Sequence, residues 1–287
     1  MAETRPSAAT VKPSTSVQVK KSSNIISLIA PVACIIIGYC IWRFVLGNPD
    51  NFGQGQNNGG FWPDRNAPKT ALSRMYLGGI IVPILIGTFL TMMTFVIERF
   101  MTVAKASGTS SNADFIRKVQ YHLANKNVDA ALAECDKQKG SVGNVMKAGL
   151  GRYKEMITEN DLNTEQKVLA IQKEVEEATS LELPMLEKNL VFLSTIATIA
   201  TLIGLLGTVI GMIRAFATLG AESGGSASAQ ALSVGISEAL YNTALGIGTS
   251  AVAIVFYNIF TTKIDGITYG IDESGFTLTQ TFASLYK

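Results

Sequence analysis

The chain has little of what most enzymes use for chemistry. Its 287 residues include one histidine, His122, and three cysteines, Cys34, Cys40 and Cys135. Two of the cysteines lie in an apolar run and the third in a polar stretch, so the sequence indicates neither a disulfide framework nor a zinc site. One histidine cannot form the His-rich constellations of metal or acid–base sites. We therefore expect no catalytic residue, no metal and no cofactor.

Charged side chains are also scarce, at 16% of the chain against roughly 25% in soluble domains. Lys and Arg together number 24 and Asp and Glu 22, a net charge of +2, which argues against a nucleic-acid-binding protein. Hydrophobic residues reach 47%, the mean hydropathy is +0.28, and the apolar residues are clustered. These values predict a protein embedded in a lipid membrane.

Four apolar runs exceed the ~20 helical residues that cross a bilayer. They predict an all-α integral membrane protein with four transmembrane helices, two of them extended into a cytoplasmic helical region. The predicted spans are 24–46, 76–98, 190–219 and 233–262. The first run could instead be a signal peptide. Its apolar part is too long for one, and Trp42 and Arg43 stand where a cleavage site should be, so we interpret it as a retained helix.

The charges between the spans predict their orientation. Residues 99–189 hold 13 basic and 13 acidic side chains, whereas the linker 220–232 has no basic residue. The positive-inside rule makes 99–189 a cytoplasmic helical region, with Lys137 inside and Gly59 outside. The remaining segments are then a disordered cytoplasmic tail at 1–23, a periplasmic loop at 47–75, a periplasmic linker at 220–232 and a cytoplasmic tail at 263–287. Arg65, Lys69 and Arg74 in the first loop oppose this orientation.

The cytoplasmic region has helical composition and one clear amphipathic face. Four apolar residues follow helical spacing: Val128, Ala131, Leu132 and Cys135. The segment 164–189 runs into the third span without a loop signal, which predicts one long helix, kinked near Pro184. Glu98 and Arg99 read as an ordinary interfacial stop after the second span.

The third and fourth spans contain polar stripes that a simple anchor does not need. On the third span Thr198, Thr201, Leu205 and Thr208 share one face, and Gly204, Gly207 and Gly211 follow on a neighbouring face. On the fourth span Thr243, Gly246 and Ser250 share a face. Such residues serve helix packing or line a hydrated path, and the sequence leaves both interpretations open.

Depth and charge single out four of the polar residues. At ~1.5 Å per residue, Thr208 and Thr243 fall at nearly the same depth on antiparallel helices. Glu238 is an acidic residue inside an apolar run, where a carboxylate is costly and faces protein or water. Two roles compete for it: a wet relay to the threonine level, or a buried ion pair with Arg214, which could alternatively snorkel.

Two segments resemble the MotA/TolQ/ExbB proton-channel superfamily: GLLGTVIGMIRAF at 204–216 and GISEALYNTALGIGTSAVAIVFYNIF at 235–260. IERFMTVAKASG, after the second span, is similar to the family's exit from its first helix. The resemblance covers about residues 76–262 and is closest to ExbB and TolQ. Glu238 and Thr243 sit as in ExbB-like proteins, and Thr208 occupies the threonine of the GTV motif.

The resemblance implies a homopentamer of the bacterial inner membrane with a proton pathway lined by Thr208, Thr243 and Glu238. The polar stripes add Thr201 and Ser250 to the predicted lining of this pathway. The pentamer would enclose the single helices of ExbD-like subunits. Proton flow would energise a TonB-like protein for outer-membrane transport, or TolA in the TolQ branch. The glycines Gly204, Gly207, Gly211 and Gly246 would pack helices.

Two features depart from the family pattern. Val252 stands where the family often has proline, and the span 24–46 is additional to the three spans of ExbB. A MotA-like or gliding-type stator subunit and a non-conducting membrane scaffold therefore stay as alternatives. The chain has no aspartate in midmembrane, so a partner carboxylate facing the threonines would have to carry the proton.

Overall fold

The structure is built from helices, as the sequence predicts. The computed structural model describes residues 25–53, 69–221 and 226–286, so the predicted tail at 1–23 and Gly59 lie outside the described residues. Within the described part every long element is a helix, and four stretches are long and apolar enough to cross a membrane. The all-α membrane class with four candidate spans is confirmed.

The membrane helices overlap the predicted spans, but several of them begin or end at other residues. Helix α1 (Ile25–Cys40) continues as a π-helical turn at Ile41–Leu46. A short helix, α2 (Ala71–Leu77), precedes α3 (Ile81–Ala106). The second span therefore starts at Ile81 rather than at residue 76, because Gly79 adopts a left-handed backbone with φ +69° between α2 and α3.

The helix α1, additional to the ExbB pattern, packs tightly on α3. A Cβ on Gly38 would lie 2.7 Å from the Gly87 nitrogen, so the two backbones touch. Near the end of the first span the Trp42 ring stacks on Tyr76 at 4.5 Å, and its Nε1 donates to the Tyr76 carbonyl at 3.1 Å. The first span is thus fixed to α3 through Gly38 and to α2 through Trp42.

Four helices form the region between the second and third spans: α4 (Asn112–Ala124), α5 (Val128–Gln138), α6 (Ser141–Thr158) and α7 (Thr164–Glu187). The predicted face of α5 is confirmed. Val128, Ala131 and Cys135 are buried and Leu132 packs against the same core. This core is shared with the far end of the last helix, as described below.

The prediction of one unbroken helix from 164 into the third span is wrong. Helix α7 ends at Glu187 and α8 (Leu190–Ala221) begins three residues later. The break lies at Asn189, which adopts a left-handed φ of +67°, a conformation that asparagine tolerates better than most residues. Pro184 stays inside α7, and its carbonyl accepts from the Lys188 N–H to close the helix end.

Helix α9 (Ser226–Leu285) runs for 60 residues without interruption, through Val252 and through the segment assigned to a cytoplasmic tail. Residues 263–285 are therefore a helix with a buried face rather than an independent tail. Leu278 and Phe282 are fully buried, and the Phe282 ring meets Tyr153 of α6 edge-on at 4.8 Å. The fourth span is thereby continuous with the helical core built by α6 and α7.

Glu98 and Arg99 form a junction between helices, which corrects their interpretation as an interfacial stop. The Arg99 side chain is 2% exposed and donates to both Glu98 carboxylate oxygens, at 2.7 and 2.6 Å. Its Nη1 donates to the Leu186 carbonyl at the end of α7, at 3.0 Å. Asn189 donates to Glu98 at 3.1 Å, so the same pair holds the break before α8. The positive charge of Arg99 next to the C-terminal carbonyls of α7 is electrostatically favourable.

Replacing Arg99 with methionine should destabilise the chain by about 3 kcal/mol, because it leaves the Leu186 carbonyl and the Glu98 carboxylate without their buried donor. The matched control is Arg117→Met. Arg117 is 79% exposed and 3.9 Å from Asp114, so its loss should change stability by less than ~0.5 kcal/mol. Unfolding of the purified protein in detergent measures both. Equal stability of the two variants would mean that the Arg99 contacts contribute nothing.

Candidate functional site

The third and fourth spans form an antiparallel hairpin whose seam is made of glycine. Gly204, Gly207 and Gly211 of α8 all face α9 of the same chain, and a Cβ on Gly207 would lie 2.6 Å from the Asn242 Cβ. A Cβ on Gly246 would lie 2.6 Å from the Ala200 carbonyl oxygen. These glycine contacts are therefore made between two helices of one chain.

Two of the predicted hydroxyls join the hairpin across this seam. Thr243 Oγ1 donates to the Gly204 carbonyl at 3.3 Å, and Ser250 Oγ donates to the Ala197 carbonyl at 2.5 Å. Ser250 is buried and Thr243 half-buried. Both side chains therefore serve helix packing in the isolated chain. Because Gly204 lies one turn before Thr208, the structure places Thr243 and Thr208 about one turn apart in depth.

The remaining predicted hydroxyls lie along α8 and bond their own helix. Thr208 Oγ1 donates to the Leu205 carbonyl at 2.6 Å, and Thr201 donates to the Ala197 carbonyl at 3.5 Å. Thr208 is half-buried and borders an open depression of about 630 Å³ on α8. The other lining residues are Val209, Met212, Ile213, Phe216 and Ala217. All six lining residues belong to α8, and Val209, Ile213 and Phe216 are more than half exposed, so this face can receive a second helix.

The Arg214 guanidinium lies against the turn before α3, where a Cβ on Gly79 would be 2.8 Å from its Nη1. Glu238 is half-buried on α9, one turn before Asn242. The site residues thus divide into a packed seam, an open face around Thr208, and a polar cluster near the turn between α2 and α3.

Asn242 belongs to this polar cluster, and the sequence interpretation left it out of the site. Its side chain is 2% exposed and its Nδ2 donates to the Gly78 carbonyl at 3.3 Å. The amide lies between Gly207 of α8 and Gly78, two positions without a side chain. An amide in an apolar run was the available signal. Its importance depends on the crossing of three segments, which the sequence does not show.

Comparisons with known proteins point to one family. The MotA/TolQ/ExbB proton channel family matches residues 137–273, which include most of the described hairpin and its helical extension. An ExbB-like biopolymer transport protein of Synechocystis is 38% identical over 30% of this chain and 41% of its own length. The Tol-Pal system protein TolQ of Haemophilus influenzae is 37% identical over 33% of this chain and 43% of its own length.

A second TolQ, from Pseudomonas aeruginosa, is 27% identical but covers more, 57% of this chain and 77% of its own length. The chain spans about two fifths of the length of the first two relatives. Relatives named ExbB and TolQ occur side by side, so the similarity does not separate these two branches. The family match over residues 137–273, the relatives and the four apolar helices agree, and together they support a membrane protein of the MotA/TolQ/ExbB proton channel superfamily.

Proposed function

We propose that this chain is an ExbB-like subunit of the inner membrane that conducts protons and, with an ExbD-like partner, transmits the proton motive force to a TonB-like protein. The observation that carries the proposal is the open face of α8 around Thr208. The seam of the hairpin is closed by α9, whereas this face presents a half-buried hydroxyl to a neighbouring helix. Membership of a proton channel family supports conduction at this face.

The chain needs partners to complete such a path. It contributes hydroxyls but no midmembrane aspartate, and a threonine does not titrate near neutral pH. A carboxylate on the single helix of an ExbD-like subunit, seated among several copies of α8, would carry the proton between hydrated threonines. Five copies surrounding two partner helices, as in the family that the sequence resembles, give this arrangement.

A TolQ-like role is the second candidate, because TolQ proteins are among the relatives at comparable identity. The subunit and the ion would be the same, and the energised partner would be TolA-like. A MotA-like or gliding-type stator differs in carrying a partner with a peptidoglycan-binding domain. The three roles are separated by which single-span proteins copurify with the chain.

Reconstitution tests the proposal. The chain is coexpressed with the single-span protein encoded beside it, purified, and placed in liposomes with a trapped pH dye and an imposed membrane potential. We expect proton uptake from the complex and subunit counting that gives several copies of this chain per partner. A stable complex that takes up no protons under any potential would favour the scaffold role and contradict the proposal.

The orientation of the spans gives a separate prediction. A cysteine at Asp50, exposed after the first span, should react with a membrane-impermeant maleimide added to spheroplasts. A cysteine at Lys137, whose side chain is 71% exposed, should react only after the membrane is permeabilised. Labelling of the Lys137 variant in sealed spheroplasts would overturn the orientation of the whole chain.

The native cysteines give little background in this experiment. Burial raises the pKa of the Cys135 thiol to about 12, so at neutral pH almost none of it is the reactive thiolate. Its reactivity should rise only as the pH approaches that value. Cys34 is also buried, and the exposed Cys40 is replaced by serine in both variants.

A further inference from the structure

The side-chain oxygen of Asn242 is buried in the membrane hairpin and accepts no hydrogen bond from the described residues. The other end of the amide is fixed, because Nδ2 donates to the Gly78 carbonyl at 3.3 Å. Turning the amide over would place two oxygens against each other, so the buried free atom is the acceptor. A buried acceptor without a donor is destabilising, and a bound donor would remove that cost.

This oxygen lies near the start of α3. A Cβ on Gly78 would lie 2.9 Å from Asn242 Oδ1 and 2.5 Å from a methyl of Val82, the second residue of α3. No side chain caps this helix, and the first N–H groups of any helix lack partners within it. Ile81 and Val82 are 6% and 0% exposed, so these N–H groups are buried as well. Buried donors and a buried acceptor therefore lie close to one another.

The chemistry of the two sides selects the ligand. A metal cation would bind the Asn242 oxygen, but the positive N-terminal end of α3 would repel it. An anion would bind at that helix end, but the Asn242 oxygen would repel it. A water molecule donates to one and accepts from the other. We propose that Asn242 and the first turn of α3 hold an ordered water molecule at the junction of α3, α8 and α9.

The position of this water deepens the proposed function. Asn242 lies one turn after Glu238 and next to Thr243 along α9, and the Arg214 guanidinium is beside Gly79 in the same turn. The water therefore stands between the half-buried carboxylate and the threonine level. On the condition that the chain conducts protons, it is a hydrogen-bonded station on the outer half of the path, and Asn242 is its positioning residue.

X-ray radiolytic labelling of the intact complex in nanodiscs tests the site, because radicals formed from ordered water label side chains that bulk solvent does not reach. We expect Val82 to be labelled although it is 0% exposed, while Leu193 of α8, also 0% exposed, is not. Asn242→Leu removes the acceptor at similar volume and should abolish the labelling. Asn242→Asp keeps an acceptor and should retain it.

Density from electron cryomicroscopy within hydrogen-bond distance of Asn242 Oδ1 checks the wild-type complex independently of any variant. Absence of both the density and the Val82 labelling in wild type overturns the water site. Unchanged Val82 labelling in a folded Asn242→Leu complex overturns the role of Asn242. Proton uptake in liposomes is scored separately, so a bound water in a complex without uptake would leave the site standing and contradict the proposed function.

Discussion

Gly207→Leu should prevent the membrane hairpin from closing and leave little stable protein. At this position even a Cβ would lie 2.6 Å from the Asn242 Cβ and 2.9 Å from its Cγ, closer than packed carbon atoms approach. A leucine would have to separate α8 from α9, which also breaks the bonds from Thr243 and Ser250 across the seam. Overpacking costs ~1–3 kcal/mol where side chains can move, and more against a backbone contact. We expect a loss of more than ~3 kcal/mol, measured by unfolding in detergent.

The control for this variant is Gly248→Leu on α9, where an added Cβ meets no atom within 4 Å. It should fold as a single chain with near wild-type stability. Because the glycine seam lies inside one chain, the Gly207 variant should fail before assembly, as loss of folded monomer. A Gly207→Leu chain that folds normally but stays monomeric would contradict this and indicate that the glycine face makes contacts between subunits.

Thr208→Val should slow proton uptake at least about tenfold while the complex still forms. Valine has nearly the shape of threonine but cannot hydrogen-bond water, and Thr208 lies on the open face of α8, outside the seam. Losing a hydrogen bond of ~1.4 kcal/mol at the slowest transfer step reduces the rate about tenfold. We expect at least this loss in the liposome assay, with unchanged unfolding and unchanged copurification of the partner.

Two matched variants serve as controls for the Thr208 experiment. Thr208→Ser restores a hydroxyl and should recover uptake. Thr243→Val removes the bond to the Gly204 carbonyl, so it should also lower stability, by ~1 kcal/mol. Wild-type uptake by Thr208→Val would show that this threonine does no more than bond its own helix through the Leu205 carbonyl.

The length of the apolar runs was enough to predict the class of the protein. Runs of apolar residues at membrane-spanning length identify the four spans, because a bilayer demands length and hydrophobicity and little else. The amphipathic face of α5 was also readable, since Val128, Ala131 and Cys135 follow the helical period directly. The motifs around Thr208 and Thr243 similarly indicated the family, which the match to residues 137–273 supports.

Tertiary structure decided what each polar residue contacts. Thr243 and Ser250 differ little in type from Thr208, yet they bond α8 across a glycine seam while Thr208 faces outward. Arg99 follows an apolar run, as a charge at the membrane interface does. It is instead buried against the end of α7, because Leu186, 87 residues later, accepts its hydrogen bond.

Asn242 shows the same limit. Its amide fits between the helices only because Gly207 and Gly78 have no side chains at the positions next to it. A sequence period specifies which face of a helix a residue occupies, because that depends on the local backbone alone. Which helix covers that face depends on crossings between distant segments, and only the folded chain contains them.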